Sequence, residues 1–295
     1  MSYLQAIVIG LLQGVTELFP ISSLGHSVLV PAWLGWDNLV GSQSGNESFY
    51  LAFLVGLHLA TAVALLVHYR HDWIGITAGF LRTVRNRRIE GPQERMAWLL
   101  ILATIPVGVV GLVYEHSLRT LFAKPLAAAV FLTLNGLILS AGETLRRRQA
   151  RPAARSLGAA AAVRPPAGHT IEQLSFAEGI SIGAAEILAL LAGISRSGVT
   201  MVAGLLRGLD HENAARFSFM LATPVILAAG LYKLPDLLGP NGNGLHGQIL
   251  AGSIVAGLAA YGAVRFLERF FRSNTLLPFA VYCFVVGGLS ILRFA

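Results

Sequence analysis

Residues 2–25, SYLQAIVIGLLQGVTELFPISSLG, and residues 175–198, SFAEGISIGAAEILALLAGISRSG, are two copies of one segment at a constant offset of 173. Eight of the 24 positions are identical: Ser2/Ser175, Ile7/Ile180, Ile9/Ile182, Gly10/Gly183, Leu18/Leu191, Ile21/Ile194, Ser22/Ser195 and Gly25/Gly198. Each copy is an apolar stretch that breaks at a Ser-rich turn and then restarts. Together the two turns hold Glu17, Ser22, Ser23, His26, Ser195, Arg196 and Ser197 inside otherwise apolar sequence. The repetition predicts a chain built of two related halves, each opening with a broken apolar helix.

The surroundings of the two segments are apolar as well. Of 295 residues, 55% are hydrophobic and only 13% charged, against about 25% charged in a soluble domain. The runs 51–67, 96–113, 125–142, 245–264 and 274–292 contain no Asp, Glu, Lys or Arg. About 20 apolar residues span a bilayer, so the chain is read as a polytopic integral membrane protein. The net charge of +7 does not point to nucleic acid, because the Arg residues sit in short loops between apolar runs, as the positive-inside rule requires. The single cysteine, Cys283, lies in the last run, which leaves no disulfide framework. The N-terminus lacks a charged n-region and a small-residue cleavage site, so no signal peptide is expected.

Loop charge gives an expected topology. The basic loops 82–95, 146–164, 207–216 and 265–272 are assigned to the cytoplasm, and the loops 37–48 and 235–246, without Lys or Arg, to the outside. Counting crossings then requires residues 1–36 and 176–206 each to enter and leave on one face. Their second arms, of about 13 residues or roughly 20 Å, are too short to cross about 30 Å of hydrocarbon. The expected fold is an all-α polytopic membrane protein with an inverted-topology repeat, two re-entrant helix pairs and about six transmembrane helices. The first repeat is 1–148, with the re-entrant pair 1–36 and spans 49–69, 96–115 and 123–143. A cytoplasmic linker follows at 149–174. The second repeat is 175–295, with the re-entrant pair 176–206 and spans 217–234, 247–264 and 274–292. N- and C-termini are expected outside.

The turns carry the chemistry. Pro20 disfavours continuation of the first helix, and Ser22 and Ser23 are good N-caps for its restart. Ser195 and Ser197 stand at the corresponding place in the second copy. A helix N-terminus binds anions; if the turns meet, two such termini face one cavity with Arg196 between them, a side chain suited to bidentate phosphate contact. Glu17 and Gln13, at i and i+4, share a helix face. An ionised side chain at membrane depth costs about 2.5–3.5 kcal/mol on insertion scales, so Glu17 and Arg196 require a partner, a cavity or a bound ion. A structural Glu–Arg pair joining the repeats would meet that requirement, but it needs neither the Ser cluster nor His26. His26 follows Ser23 by three residues and is a candidate acid, base or nucleophile. His58, in the middle of an apolar run, is equally a packing and a cavity residue. Glu186 is the repeat partner of Gln13 and is assigned a secondary role, since Leu190 replaces Glu17 in the second copy. Glu143, Glu178, His68, His71 and His211 fall near the cytoplasmic boundary and are expected to be solvated; Asn135 is expected to shape its helix.

At these residues the chain resembles the undecaprenyl-diphosphate phosphatase, or bacitracin-resistance protein, family. The family's [E/Q]xxxE motif running into PxSSxGH reads here Gln13-Gly-Val-Thr-Glu17 and Pro20-Ile-Ser22-Ser23-Leu-Gly-His26; its PGxSRSxxT motif reads Ala192-Gly-Ile-Ser195-Arg196-Ser197-Gly-Val-Thr200. Ala192 replaces the family's usual Pro, and Leu24 stands where a small polar residue is common. The resemblance implies hydrolysis of undecaprenyl (C55 prenyl) diphosphate to the monophosphate and inorganic phosphate, recycling the lipid carrier for cell-wall synthesis and conferring bacitracin resistance. It implies a divalent cation, Mg2+ or Ca2+, and an active site facing outside a bacterial cell membrane. Glu17, Ser23, His26 and Arg196 are the catalytic candidates, with the nucleophile open between Ser23, His26 and water. Gln13, Ser22, Ser195, Ser197 and Thr200 are the substrate-binding candidates, and Glu17 with Gln13 the metal candidates. The expected partners are the polyprenyl diphosphate lipid and the bilayer, with a homodimer as a further candidate and no nucleic acid. The alternative is a transporter or flippase of a phosphorylated prenyl lipid, since inverted repeats with broken helices are also a transporter architecture. The SRxxxxxH motif of acid-phosphatase-type lipid phosphatases is absent, because position 202 is Val.

Overall fold

A computed structural model describes residues 1–36, 39, 49–122, 124–156, 169–238 and 244–295. The loop 37–48 (Leu39 apart), residues 239–243 and the linker segment 157–168, all given a side of the membrane by loop charge, lie outside the described residues. The described chain forms eleven α-helices: α1 (Tyr3–Thr16), α2 (Ser23–Trp33), α3 (Phe49–His68), α4 (Arg70–Asn86), α5 (Pro92–Phe122), α6 (Pro125–Ser156), α7 (Phe176–Ala185), α8 (Arg196–Leu206), α9 (His211–Leu238), α10 (His246–Phe271) and α11 (Leu277–Phe294). Five are long and apolar enough to cross a bilayer, over Pro92–Tyr114, Pro125–Gln149, His211–Tyr232, His246–Phe271 and Leu277–Phe294. They coincide with five of the expected spans. The sixth, 49–69, is helix α3, whose stretch Gly56–His68 is a shorter apolar segment.

The repeat's identical residues have structural jobs. Ser2 and Ser175 are N-caps in capping boxes with Gln5 and Glu178, so both copies start with the same reciprocal hydrogen bonds. Ser22 and Ser195 cap α2 and α8 by accepting from the N–H groups of Gly25 and Gly198. Gly10 lies against the backbone of Gly252 in α10, and its partner Gly183 against the backbone of Ala103 in α5, too close in either case for a Cβ. The helices α1 (14 residues), α2 (11), α7 (10) and α8 (11) measure about 15–21 Å at 1.5 Å per residue, less than a bilayer's hydrocarbon.

Packing exchanges partners between the halves. Helix α1 lies along α10, and its counterpart α7 along α5. Helix α3 packs on its counterpart α9, and α6 on its counterpart α11. The first arm of each broken helix is therefore held by the opposite half, and α6 packs on both second arms, α2 and α8, which brings the two Ser-rich turns together.

Three expectations are corrected. The cytoplasmic loop assigned to 82–95 is preceded by the helix Arg70–Asn86, whose amphipathic pattern has no apolar run long enough to register as a span. Helix α6 continues to Ser156, through Pro152, so the first residues of the expected linker 149–174 are helical rather than irregular. Glu143 and His211 are buried (1% and 7% exposed) and bonded to each other at 2.8 Å rather than solvated. His68 is likewise bonded to Glu268, at 2.9 Å. Both pairs cross between helices, so tertiary packing supplies the partners that a single-chain reading of the boundary assigned to water.

Candidate active site

The two turns are joined through backbone groups. The hydroxyl of Ser22 accepts from the N–H of Gly193 at 3.1 Å, and those of Ser195 and Ser197 reach the carbonyl of Phe19 at 3.4 and 3.1 Å. Asn135 on α6 completes the join: its Oδ1 accepts from the N–H of Ser195 at 3.0 Å, and its Nδ2 donates to the carbonyl of Pro20 at 2.9 Å. Two residues adopt backbone conformations that this contact imposes. Ser22 has φ 70°, and Gly193 has φ 116° with no room for a Cβ against Ala128. Only glycine takes the latter position without strain.

At the junction lies Glu17, 6% exposed, with three hydrogen-bond donors and the His58 ring around it. Its Oε2 accepts from Gln13 Nε2 at 3.0 Å and from the Ser23 hydroxyl at 2.5 Å, and lies 3.3 Å from His58 Nε2. Its Oε1 accepts from Arg196 Nη2 at 2.9 Å. Ser23 and Arg196 are repeat partners, each the first residue of its half-helix. The two halves thus clasp one carboxylate with equivalent positions that have diverged into a hydroxyl and a guanidinium. The other fork of Arg196 points to Glu186 Oε1 at 3.7 Å, beyond hydrogen-bonding distance.

Glu17, Ser22, Ser23, His58, Glu186, Ser195 and Arg196 line a cavity of about 260 Å³. Four apolar wall residues, Val107, Leu190, Val225 and Ala229, also line an adjoining groove of about 490 Å³ between α5 and α9. Gly108 and Gly111 lie along that groove, Gly108 with open space where a side chain would stand. A polar cradle and an apolar trough therefore share one wall.

The structure gathers most, but not all, of the predicted site residues. Glu17, Ser23 and Arg196 form the cluster, and Gln13 supports it from behind. Ser22 and Ser195 reach the cavity wall with their hydroxyls already engaged by backbone N–H groups. Ser197 and Thr200 are fully buried; Thr200 donates to the carbonyl of Arg196 at 2.7 Å. His26 turns away from this cluster. Its Nδ1 meets the carbonyl of Ser22 at 2.7 Å, and its Nε2 meets the Tyr282 hydroxyl at 2.8 Å, with the two rings stacked. Because a carbonyl only accepts, Nδ1 carries the proton and Nε2 accepts from Tyr282. His58 and Asn135 are the residues whose place in the site sequence reading left open or missed. A lone His in an apolar run was the available signal for the first; nothing local distinguishes the second from a helix-packing Asn.

Among the described residues, no group of three or more His, Cys, Asp or Glu side chains converges on one point as a metal cage. The cluster does contain hard oxygen donors: the Glu17 carboxylate and Gln13 Oε1, buried and without a partner. Mg2+ is commonly held by one or two carboxylates together with substrate phosphates. Glu17 and Gln13 Oε1 are the oxygen donors this cluster could offer to a cation that arrives with a diphosphate.

The chain matches the family model described as bacitracin resistance protein BacA over residues 6–289. It is similar to "Undecaprenyl-diphosphatase 2" of Frankia alni, with 55% identity covering 100% of this chain and 98% of that protein. It is also similar to "Undecaprenyl-diphosphatase" of Mycolicibacterium paratuberculosis, with 56% identity over the same shares, and to "Undecaprenyl-diphosphatase 2" of Chromobacterium violaceum, with 44% identity over 99% of each chain.

Proposed function

The chain belongs to the bacitracin resistance protein BacA family, and from that membership we propose that the cradle around Glu17 and Arg196 is where its diphosphatase chemistry takes place. The protein is a membrane hydrolase that cleaves undecaprenyl diphosphate to undecaprenyl phosphate and inorganic phosphate. This recycles the lipid carrier and confers bacitracin resistance. The observation that carries the site assignment is the single buried carboxylate held between Arg196 of one half and Ser23 of the other, on the wall of a cavity that continues into an apolar groove.

Phosphoryl transfer needs positioning and charge stabilisation more than covalent chemistry. An arriving diphosphate competes with Glu17 for the guanidinium of Arg196, whose planar fork matches phosphate oxygens. The first turns of α2 and α8 add their dipoles. Release of Arg196 leaves Glu17 with its Ser23 contact, so Glu17 takes the proton of the Ser23 hydroxyl as its oxygen attacks the terminal phosphorus. The bond to the bridging oxygen breaks, undecaprenyl phosphate leaves, and water deprotonated by Glu17 then hydrolyses the phosphoserine to inorganic phosphate and free Ser23. His58, 3.3 Å from the same carboxylate oxygen, holds Glu17 in place as its partner changes. A divalent cation held by Glu17 and Gln13 Oε1 would neutralise charge on the diphosphate. The prenyl chain leaves along the α5–α9 groove, where apolar walls replace lipid.

We further infer that the two halves are inverted relative to each other across a bacterial cell membrane, with the cradle opening outside. The exchange of α1 and α7 between the halves supports a two-fold relation, and the loop charges support the orientation. Inorganic phosphate release from a C55 prenyl diphosphate by purified protein in detergent, with and without EDTA and beside Arg196→Ala, tests the reading. Metal-dependent release that Arg196→Ala abolishes is expected. A folded, silent wild type would move the same cradle to a binding or transport role.

A further inference from the structure

Glu186 is the site's second carboxyl group, and its surroundings are the reverse of those of Glu17. It is fully buried and on the cavity wall. Its Oε2 has no hydrogen-bond partner, and its Oε1 lies 3.4 Å from Thr200 Oγ1 and 3.7 Å from Arg196 Nη1. Thr200 has a single hydroxyl proton, and that proton serves the 2.7 Å bond to the carbonyl of Arg196. Glu186 Oε1 is left with at most a share of that proton, at 3.4 Å, and with the guanidinium of Arg196 at 3.7 Å, and Oε2 has no donor. Glu17, by contrast, accepts hydrogen bonds from Gln13, Ser23 and Arg196, and His58 Nε2 lies 3.3 Å away.

A fully buried ionised carboxylate with one oxygen unpartnered and the other held only at long distance is penalised, whereas a neutral carboxylic acid is not, and it carries a donor of its own. Neighbouring carboxyl groups in opposite environments divide into one ionised and one neutral. The charged and titratable groups that face Glu186 are Arg196 from α8, Glu17 from the end of α1 and His58 from α3; helices α5 and α9 contribute the apolar Val107, Val225 and Ile226 to the same wall. A diphosphate offers only acceptor oxygens. An ionised Glu186 would repel it, and a neutral one complements it.

Resting on the phosphatase reading of the cavity, we propose that Glu186 is a substrate-binding residue held as a neutral carboxylic acid that donates a hydrogen bond to a diphosphate oxygen. The repeat partner positions 13 and 186 then lie beside the Glu17–Arg196 pair from the two halves, Gln13 donating to Glu17 and protonated Glu186 donating into the cavity.

The test is kcat/KM for phosphate release from farnesyl diphosphate in detergent, measured from acid to alkaline pH. It compares wild type, Glu186→Gln and Glu186→Ala, each checked for a monodisperse elution profile. As pH rises, Glu186 loses its donor and gains a charge that repels the substrate, so wild-type kcat/KM falls on the alkaline side. E186Q keeps a donor that cannot ionise; it remains active and loses that alkaline fall. E186A has no donor, and its KM rises about tenfold or more, the worth of one hydrogen bond to a charged group. An E186Q variant as inactive as E186A at every pH would show that an ionised carboxylate is needed and would overturn the proposal. So would an E186Q profile with the wild-type alkaline fall intact. A wild type that releases no phosphate overturns the phosphatase reading itself, a result distinct from either.

Discussion

At the scale of single residues, the site rests on one carboxylate with more donors than it can keep once substrate arrives. Glu17 bonds to Arg196 at 2.9 Å and to Ser23 at 2.5 Å. A diphosphate, with its higher charge, displaces the first bond and leaves the second. Glu17→Gln preserves shape but removes the base, so turnover is expected to fall by about 10²–10⁴-fold, the usual worth of general-base catalysis, with the protein still folded; phosphate release read beside a thermal melt checks both halves of that statement. Ser23→Ala removes the hydroxyl that the proposed mechanism has Glu17 activate. Wild type quenched during turnover should carry phosphate on Ser23, detectable by peptide mass spectrometry. A fully active Ser23→Ala enzyme would assign the attack to water. Arg196→Lys keeps the charge and loses the planar fork, so it should raise KM rather than restore wild-type binding.

At the scale of elements, the broken helices are positioned by glycine contacts and by Asn135. Gly183 sits against the backbone of Ala103, and Gly10 against that of Gly252. Gly183→Ala should lower stability by about 1–3 kcal/mol through overpacking, seen as a lower melting temperature in detergent. Gly108→Ala, with nothing near its added methyl, should not. Asn135→Ala breaks the bonds to Pro20 and Ser195 and leaves two buried backbone groups unpaired, at about 1–3 kcal/mol each. Its activity should fall more than its stability predicts, because the bonds it loses are the ones that hold the two turns in register.

At the scale of the whole molecule, the exchange of short helices between halves places a polar cradle beside an apolar trough on α5 and α9. On the proposed reading, the head group and the tail of the substrate are thereby separated into two environments. Gly108→Phe places a ring in the trough at a position where an added Cβ meets nothing within 4 Å. It should depress kcat/KM for a C55 diphosphate much more than for geranyl diphosphate. Equal losses for both substrates would place the tail elsewhere.

The sequence alone determined the class of the protein and the inventory of its site. The charge-free runs at 96–113, 125–142, 245–264 and 274–292 could only be satisfied as membrane helices, because a bilayer leaves no other way to pair a backbone. The repeat at offset 173 named both turns, since capping and close helix approach demand Ser and Gly at fixed positions in each copy. Only the tertiary structure decided which of those residues face one another. Asn135, His58 and Glu186 lie far from Glu17 along the chain, and no local pattern reports a distance across helices. The same limit applied to Glu143 and His211, whose partners come from another helix. His26 shows the converse: three residues from Ser23 on one helix, it nevertheless faces Tyr282, 256 residues away in the sequence, because helix rotation is set by packing against neighbours and not by spacing within the helix.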